Sequence, residues 1–178
     1  MREILEKYKK ESKIKFGENE AEISSELIKF KDYYAIYADI TKNVDFNVPC
    51  GNYKIDEKIA LIIRNKELLT EMGFTVEERK AIYCHELGHS FSPNQKNDAR
   101  SSGRQIDKEI DSDTFAIEKC GISPYVLESA LAKTYEYEIK HIKEKEDLTQ
   151  KRLDKFVNEM RARKRNIEKL KNIEKDDR

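Results

Sequence analysis

Histidine is scarce in this 178-residue chain, with three copies at 85, 89 and 141. Cysteine is as scarce and odd in number (Cys50, Cys84, Cys120), and no two form a Cys-x-x-Cys pair. That usage argues against a disulfide framework and for reduced thiols in the cytoplasm. No apolar run approaches the ~20 residues that cross a bilayer. The opening MREILEKYKKESK holds no apolar segment of the signal-peptide kind. A soluble, cytoplasmic protein without a membrane partner is expected. Net charge is zero at pH 7, so nothing global selects a polyanion, and direct nucleic-acid binding is not expected. Hydrophobic residues reach only 38% against 39% charged, which implies one packed domain plus a solvated helical extension. There is no internal repeat.

The extension is visible in the charges. Residues 140–178 carry 14 Lys/Arg and 9 Asp/Glu, against 21 and 26 in the remainder. A nearly heptad stripe runs through this tail: Leu153, Phe156, Met160, Ile167 and Leu170, interrupted by Arg163. A helix over 148–173 would either lie on its own domain or serve as a partner or dimer interface.

The expected fold class is α+β, a small N-terminal antiparallel or mixed sheet packed on an active-site helix, with a mostly helical C-terminal half. Residues 1–26 read as a charged helical arm, 27–146 as the domain and 147–178 as a charged C-terminal helix. The second half of LIKFKDYYAIYADI (27–40) alternates apolar and polar residues as a strand does. YKI and IALII, separated by DEK (53–63), read as a hairpin whose second arm is buried. Thr75 and Glu78 form a capping box that starts a helix running to about Ser90. A second helix covers about 105–120 and stops at Gly121. Ser123-Pro124 caps a third that reaches about 146.

The first of these helices carries AIYCHELGHSF (81–91). His85 and His89 at i, i+4 share one helical face and can ligate one zinc ion, with Glu86 beside them as general base. Val76, Tyr83, Leu87 and Phe91 fall on the opposite side, toward a core, where Cys84 also reads as a small buried hydrophobe. The third ligand decides the case. Ser92 and Gln95 stand where a metzincin needs Gly and His. His141 lies among Lys140, Lys143 and Lys145, a solvated setting. The helix 105–120 offers more, because its apolar stripe Ile106, Ile110, Ala116, Ile117, Cys120 also contains Glu109 and Asp113. A buried carboxylate requires a partner. Either Glu109 ligates zinc and Asp113 accepts a hydrogen bond from a zinc-bound histidine, or both are salt-bridged to Lys or Arg. Phe115, on the far face, needs cover from another element.

HELGH (85–89) together with EIDSDTFA (109–116), preceded by GNY (51–53) and IALII (59–63), resembles the gluzincins of the ImmA/IrrE family over about residues 30–130. The resemblance implies a zinc metalloendopeptidase, with one zinc per chain, that cleaves a regulatory protein such as a helix-turn-helix repressor of a phage or mobile element. It assigns His85, His89 and Glu109 as zinc ligands, Glu86 as catalytic base and Asp113 as the group orienting a histidine. Ser112 departs from the family's usual Ala, and GISP (121–124) replaces its LLMP-like segment. Tyr125, Tyr135 and Tyr137 are candidates for the oxyanion donor. Strand 59–63 is expected to border the cleft and take an extended substrate by β-addition. Rival readings are a non-catalytic zinc module that binds a regulator, and a helical structural protein with an accidental motif. A virion peptidase or a DNA-protein-crosslink protease would share the zinc site.

Overall fold

A computed structural model describes residues 13–92, 102–144 and 150–176. The chain is mixed α+β: among the described residues, strands β1 (Lys13–Phe16), β2 (Asn19–Phe30), β3 (Tyr33–Lys42), β4 (Cys50–Lys54) and β5 (Ile59–Arg64) precede the helices. These are α1 (Lys66–Glu71), α2 (Val76–Phe91), α3 (Ser102–Glu118), α4 (Pro124–Glu144) and α5 (Gln150–Asp176).

The strands form one sheet in the order β1-β2-β3-β5-β4, antiparallel except for the β3–β5 pair. Alternation decides the two faces. Ala35, Tyr37, Ala60 and Ile62 join the main core, whereas Ile36, Ala38, Ile59 and Leu61 point the other way into a second cluster with Ala21. β3 and β5 are thus buried on both sides. The continuous apolar run IALII is the sequence form of such a strand.

The main core lies between the sheet and the helices. Leu87 of α2, Leu127 of α4 and Ile62 of β5 are all fully buried there, and Ile167 of α5 is 1% exposed. Each side chain of this size contributes about 1.5–3 kcal/mol when removed from water. The C-terminal helix therefore packs on the domain core, with Phe156, Met160 and Ile167 of its stripe. Phe115 finds its cover in the rings of Tyr33 and Phe91, at 4.8 and 6.3 Å. Cys84 and Cys120 are buried, as small apolar residues are.

The helical-arm reading of 1–26 fails where it can be compared. Residues 13–16 and 19–30 are strands, and the Asn19–Phe30 strand pairs along most of β3. Its register shifts twice, between Glu20 and Ala21 and between Ile23 and Leu27. Each shift breaks the alternation that identifies a strand in sequence. Residues 1–12 lie outside the described part. The β4–β5 hairpin and the caps at Thr75 and Gly121 stand as expected, with both bonds of the Thr75–Glu78 box formed and Gly121 at φ +74°. Val76, expected toward the core, is 78% exposed, whereas Glu78 in the same turn is buried.

Candidate metal centre

The three donors come from two adjacent helices. His85 and His89 sit one turn apart on α2, and their Nε2 atoms are 3.0 Å apart with the rings edge to face. Glu109 of α3 brings one oxygen to 3.2 Å from His85 Nε2 and the other to 3.5 Å from His89 Nε2. This group can hold a metal ion. Both imidazoles turn their Nε2 toward one point, and at most one proton fits between two such nitrogens. A cation at that point satisfies both lone pairs and the carboxylate together.

Gly88 permits the closeness of the two helices. A Cβ there would stand 2.5 Å from the Cα and 2.8 Å from the carbonyl oxygen of Ser112, closer than any real contact. The glycine of HELGH is thus a spacing element between α2 and α3.

Each histidine is oriented through its other nitrogen. His85 Nδ1 donates to Asp113 Oδ1 at 2.8 Å, and Asp113 is wholly buried. His89 Nδ1 lies 3.0 Å from Ser112 Oγ. With its proton on Nδ1, His89 donates to that hydroxyl and keeps the Nε2 lone pair toward the cluster. Ser112 therefore does a job that an alanine could not.

Asp113 has a second partner that decides between the two readings of its burial by uniting them. Arg163, itself buried, reaches in from α5, its Nε donating to Asp113 Oδ2 at 2.8 Å and its Nη2 to Oδ1 at 2.7 Å. Nη1 donates to Glu109 Oε2 at 3.2 Å. The stripe carboxylates thus have both the histidine partners and the arginine. Burial works against their charged forms, yet Arg163 and the His85 hydrogen bond hold Asp113 below the usual carboxylate range. The imidazoles of His85 and His89 beside it do the same for Glu109. His85 is the converse: burial and the Arg163 charge pull its imidazole down, but Asp113 and Glu109 outweigh them and hold it at about 9. The cluster stabilises positive charge at its centre.

Glu86 lies beside the pair and is held from the sheet. Asn52 of β4 donates from Nδ2 to Glu86 Oε2 at 2.7 Å, and Ser90 Oγ donates to Asn52 Oδ1 at 2.9 Å. Strand 59–63, expected at the cleft, is interior, between β3 and β4. The edge strand that carries Asn52 is β4.

The tyrosines are placed elsewhere. Tyr125 is 52% exposed, with Lys171 over its ring. Tyr137 stacks on His141 at 3.9 Å, and its hydroxyl reaches Glu71 of α1. Tyr135 lies behind the cluster, its ring 5.9 Å from the Arg163 guanidinium carbon. His141, whose Nδ1 donates to the Tyr137 carbonyl, is no part of the centre. Sequence reasoning missed Asn52, Ser112 and Arg163. Only Arg163 had left a signal, as the charged residue inside an apolar stripe.

No family model, curated protein or solved structure matches this chain. No helix among the described residues is long and apolar enough to cross a membrane.

Proposed function

We propose that the chain is a zinc-dependent endopeptidase of the gluzincin type, akin to the ImmA/IrrE family, acting on a regulatory protein of the repressor class. The observation that carries this reading is the His85–His89–Glu109 cluster with Glu86 adjoining it. Donors bound ~2.0–2.1 Å from a tetrahedral zinc stand about 3.3 Å from one another. The three separations here, 3.0, 3.2 and 3.5 Å, bracket that value. Two imidazoles and one carboxylate are also the donor set of catalytic zinc sites that keep a fourth position open.

Zinc, when bound, would supply Lewis acidity and shift the pKa of its water from about 15.7 toward about 7. The chain supplies the rest. Asn52 fixes one oxygen of Glu86, leaving Oε1 to take a proton from the attacking water and return it to the departing amine. Asp113 and Ser112 hold the two imidazoles in the ligating tautomer. Beyond its pairing with β5, strand β4 offers a sheet edge next to Glu86, where an extended peptide can add as a further strand. A peptide added at that edge would bring its scissile bond near the base.

The test is zinc content and cleavage measured together on wild type, Glu109→Ala and Glu86→Gln. About one zinc per chain in wild type, weakened at least 10-fold by Glu109→Ala, is expected. Glu86→Gln should keep its zinc and lose cleavage of an unfolded protein or a candidate repressor. Full function in Glu86→Gln would leave the non-catalytic zinc module as the reading, and a folded wild type that takes up no zinc would end both.

A further inference from the structure

Residues 161–169 of α5, RARKRNIEK, hold five cations and one acid. Arg163 turns inward to Asp113 and Glu109, whereas Arg161, Lys164, Arg165 and Lys169 are exposed. None of these four has an ion pair or hydrogen bond to another described residue. The acid, Glu168, is already paired with Lys171 at 2.8 Å. A solvated helix face mixes the two signs so that neighbours one turn apart attract. This face carries one sign. The chain's zero net charge conceals it, because the acidic excess of residues 1–139 cancels the basic excess of 140–178.

Arg161, Arg165 and Lys169 fall at i, i+4 and i+8, in one row along the helix. Like charges at that spacing repel, so the row weakens the helix that bears it until an anionic partner relieves it. At ~1.5 Å per residue the row is about 12 Å long. The major groove of B-DNA is also ~12 Å wide, and its walls are phosphate. What the face lacks narrows the occupant further. The exposed residues between 161 and 169 include no aromatic ring, on which the bases of a single strand would stack. They include no aliphatic side chain to enter a bilayer, because Met160 and Ile167 pack on the domain core. A protein partner would need an apolar or aromatic anchor as well. A duplex needs only its phosphates met.

We propose that the outer face of α5 binds double-stranded DNA through its phosphates, without preference for sequence. Arg161, Arg165 and Lys169 lie across the major groove from one phosphate wall to the other, and Lys164 adds a fourth contact beside the row. The face is turned to solvent, away from the side on which Arg163 meets the metal cluster, so the proposal does not rest on the peptidase reading.

The experiment is fluorescence anisotropy of the full chain with labelled DNA duplexes of about 24 base pairs, across a series of salt concentrations. A Kd of about 1–100 µM at physiological salt is expected, equal within about threefold for two unrelated sequences. Log K should fall with log salt at a slope of about −2.7 to −3.6, the value for three or four phosphates. Arg161→Gln/Arg165→Gln/Lys169→Gln, all on the surface, should weaken binding at least ~10-fold and remove about 2.7 from the slope, with circular dichroism unchanged. A Kd above about 1 mM, a slope shallower than about −1.8 or unchanged affinity in the triple variant would overturn the proposal. So would equal affinity for a thymidine single strand, a duplex RNA or phosphatidylserine vesicles.

Discussion

Replacing Arg163 by methionine keeps an unbranched apolar stem and removes the guanidinium with its charge. Three hydrogen bonds to carboxylates go with it, two to Asp113 and one to Glu109, together with the ion pair to Glu159. Asp113 has no exposed surface through which water could replace them. Breaking a buried ion pair from one side costs about 3–5 kcal/mol, because the surviving charge stays desolvated. For a chain of this size each kcal/mol lowers the melting temperature by roughly 2–4 °C, so the loss in the metal-free protein should be about 6–20 °C. Saturating zinc should shrink the deficit, since a cation held by His85, His89 and Glu109 restores positive charge beside the same carboxylates. The assay is thermal and urea unfolding followed by circular dichroism, with and without zinc, as a cycle with Asp113→Asn. The double variant should recover at least half of the sum of the single losses, because neutral partners no longer strand a charge. A loss below about 1 kcal/mol for Arg163→Met, or strict additivity in the cycle, would refute the argument that these two groups neutralise each other.

Three further outcomes follow from the same geometry. Gly88→Ala drives a methyl into the Ser112 backbone; it should cost about 1–3 kcal/mol and weaken zinc binding at least 10-fold, read by unfolding and metal competition, and wild-type values for both would count against the spacing role. Asn52→Leu frees Glu86 from its only described donor; cleavage should fall about 10- to 100-fold with zinc content unchanged, and unaltered cleavage would remove Asn52 from the catalytic account. Burial alone would raise the pKa of Glu78, but Lys133, Ser129 and the Thr75 N–H lower it to about 2. Its folded-state pKa lies below the unfolded one, so its contribution, about 3 kcal/mol, is complete above about pH 4.5 and lost as pH falls toward 2. Glu78→Gln should flatten that part of the stability profile, and an unchanged acid limb would show that other carboxylates set it.

The sequence discloses the centre better than the sheet. A capping box, two histidines at i, i+4 and two carboxylates on an apolar stripe are local patterns, and each survives folding as a side-by-side arrangement. β2 is different: its two register shifts scatter its apolar residues between phases, and only pairing with β3 makes it a strand. The interior position of β5 was open to inference, since IALII is apolar at every residue and an edge strand rarely is. Arg163 was legible by the rule applied to Glu109 and Asp113, that a charge inside an apolar stripe must find a partner. Applied to both stripes, the rule pairs them. Asn52 gave no sign, because an asparagine in a short strand looks the same whether or not it holds a glutamate.

The contact between α5 and the cluster also bears on the order of assembly. His85, His89 and Glu109 lie on successive helices, whereas Arg163 stands 54 residues beyond Glu109. Loops of such unequal length close at different times. During synthesis the three donors leave the ribosome well before the guanidinium that will brace them. A metal ion captured in that interval would hold α2 against α3 while Asp113 still awaits its partner, making the ion a folding template first and a reagent afterwards.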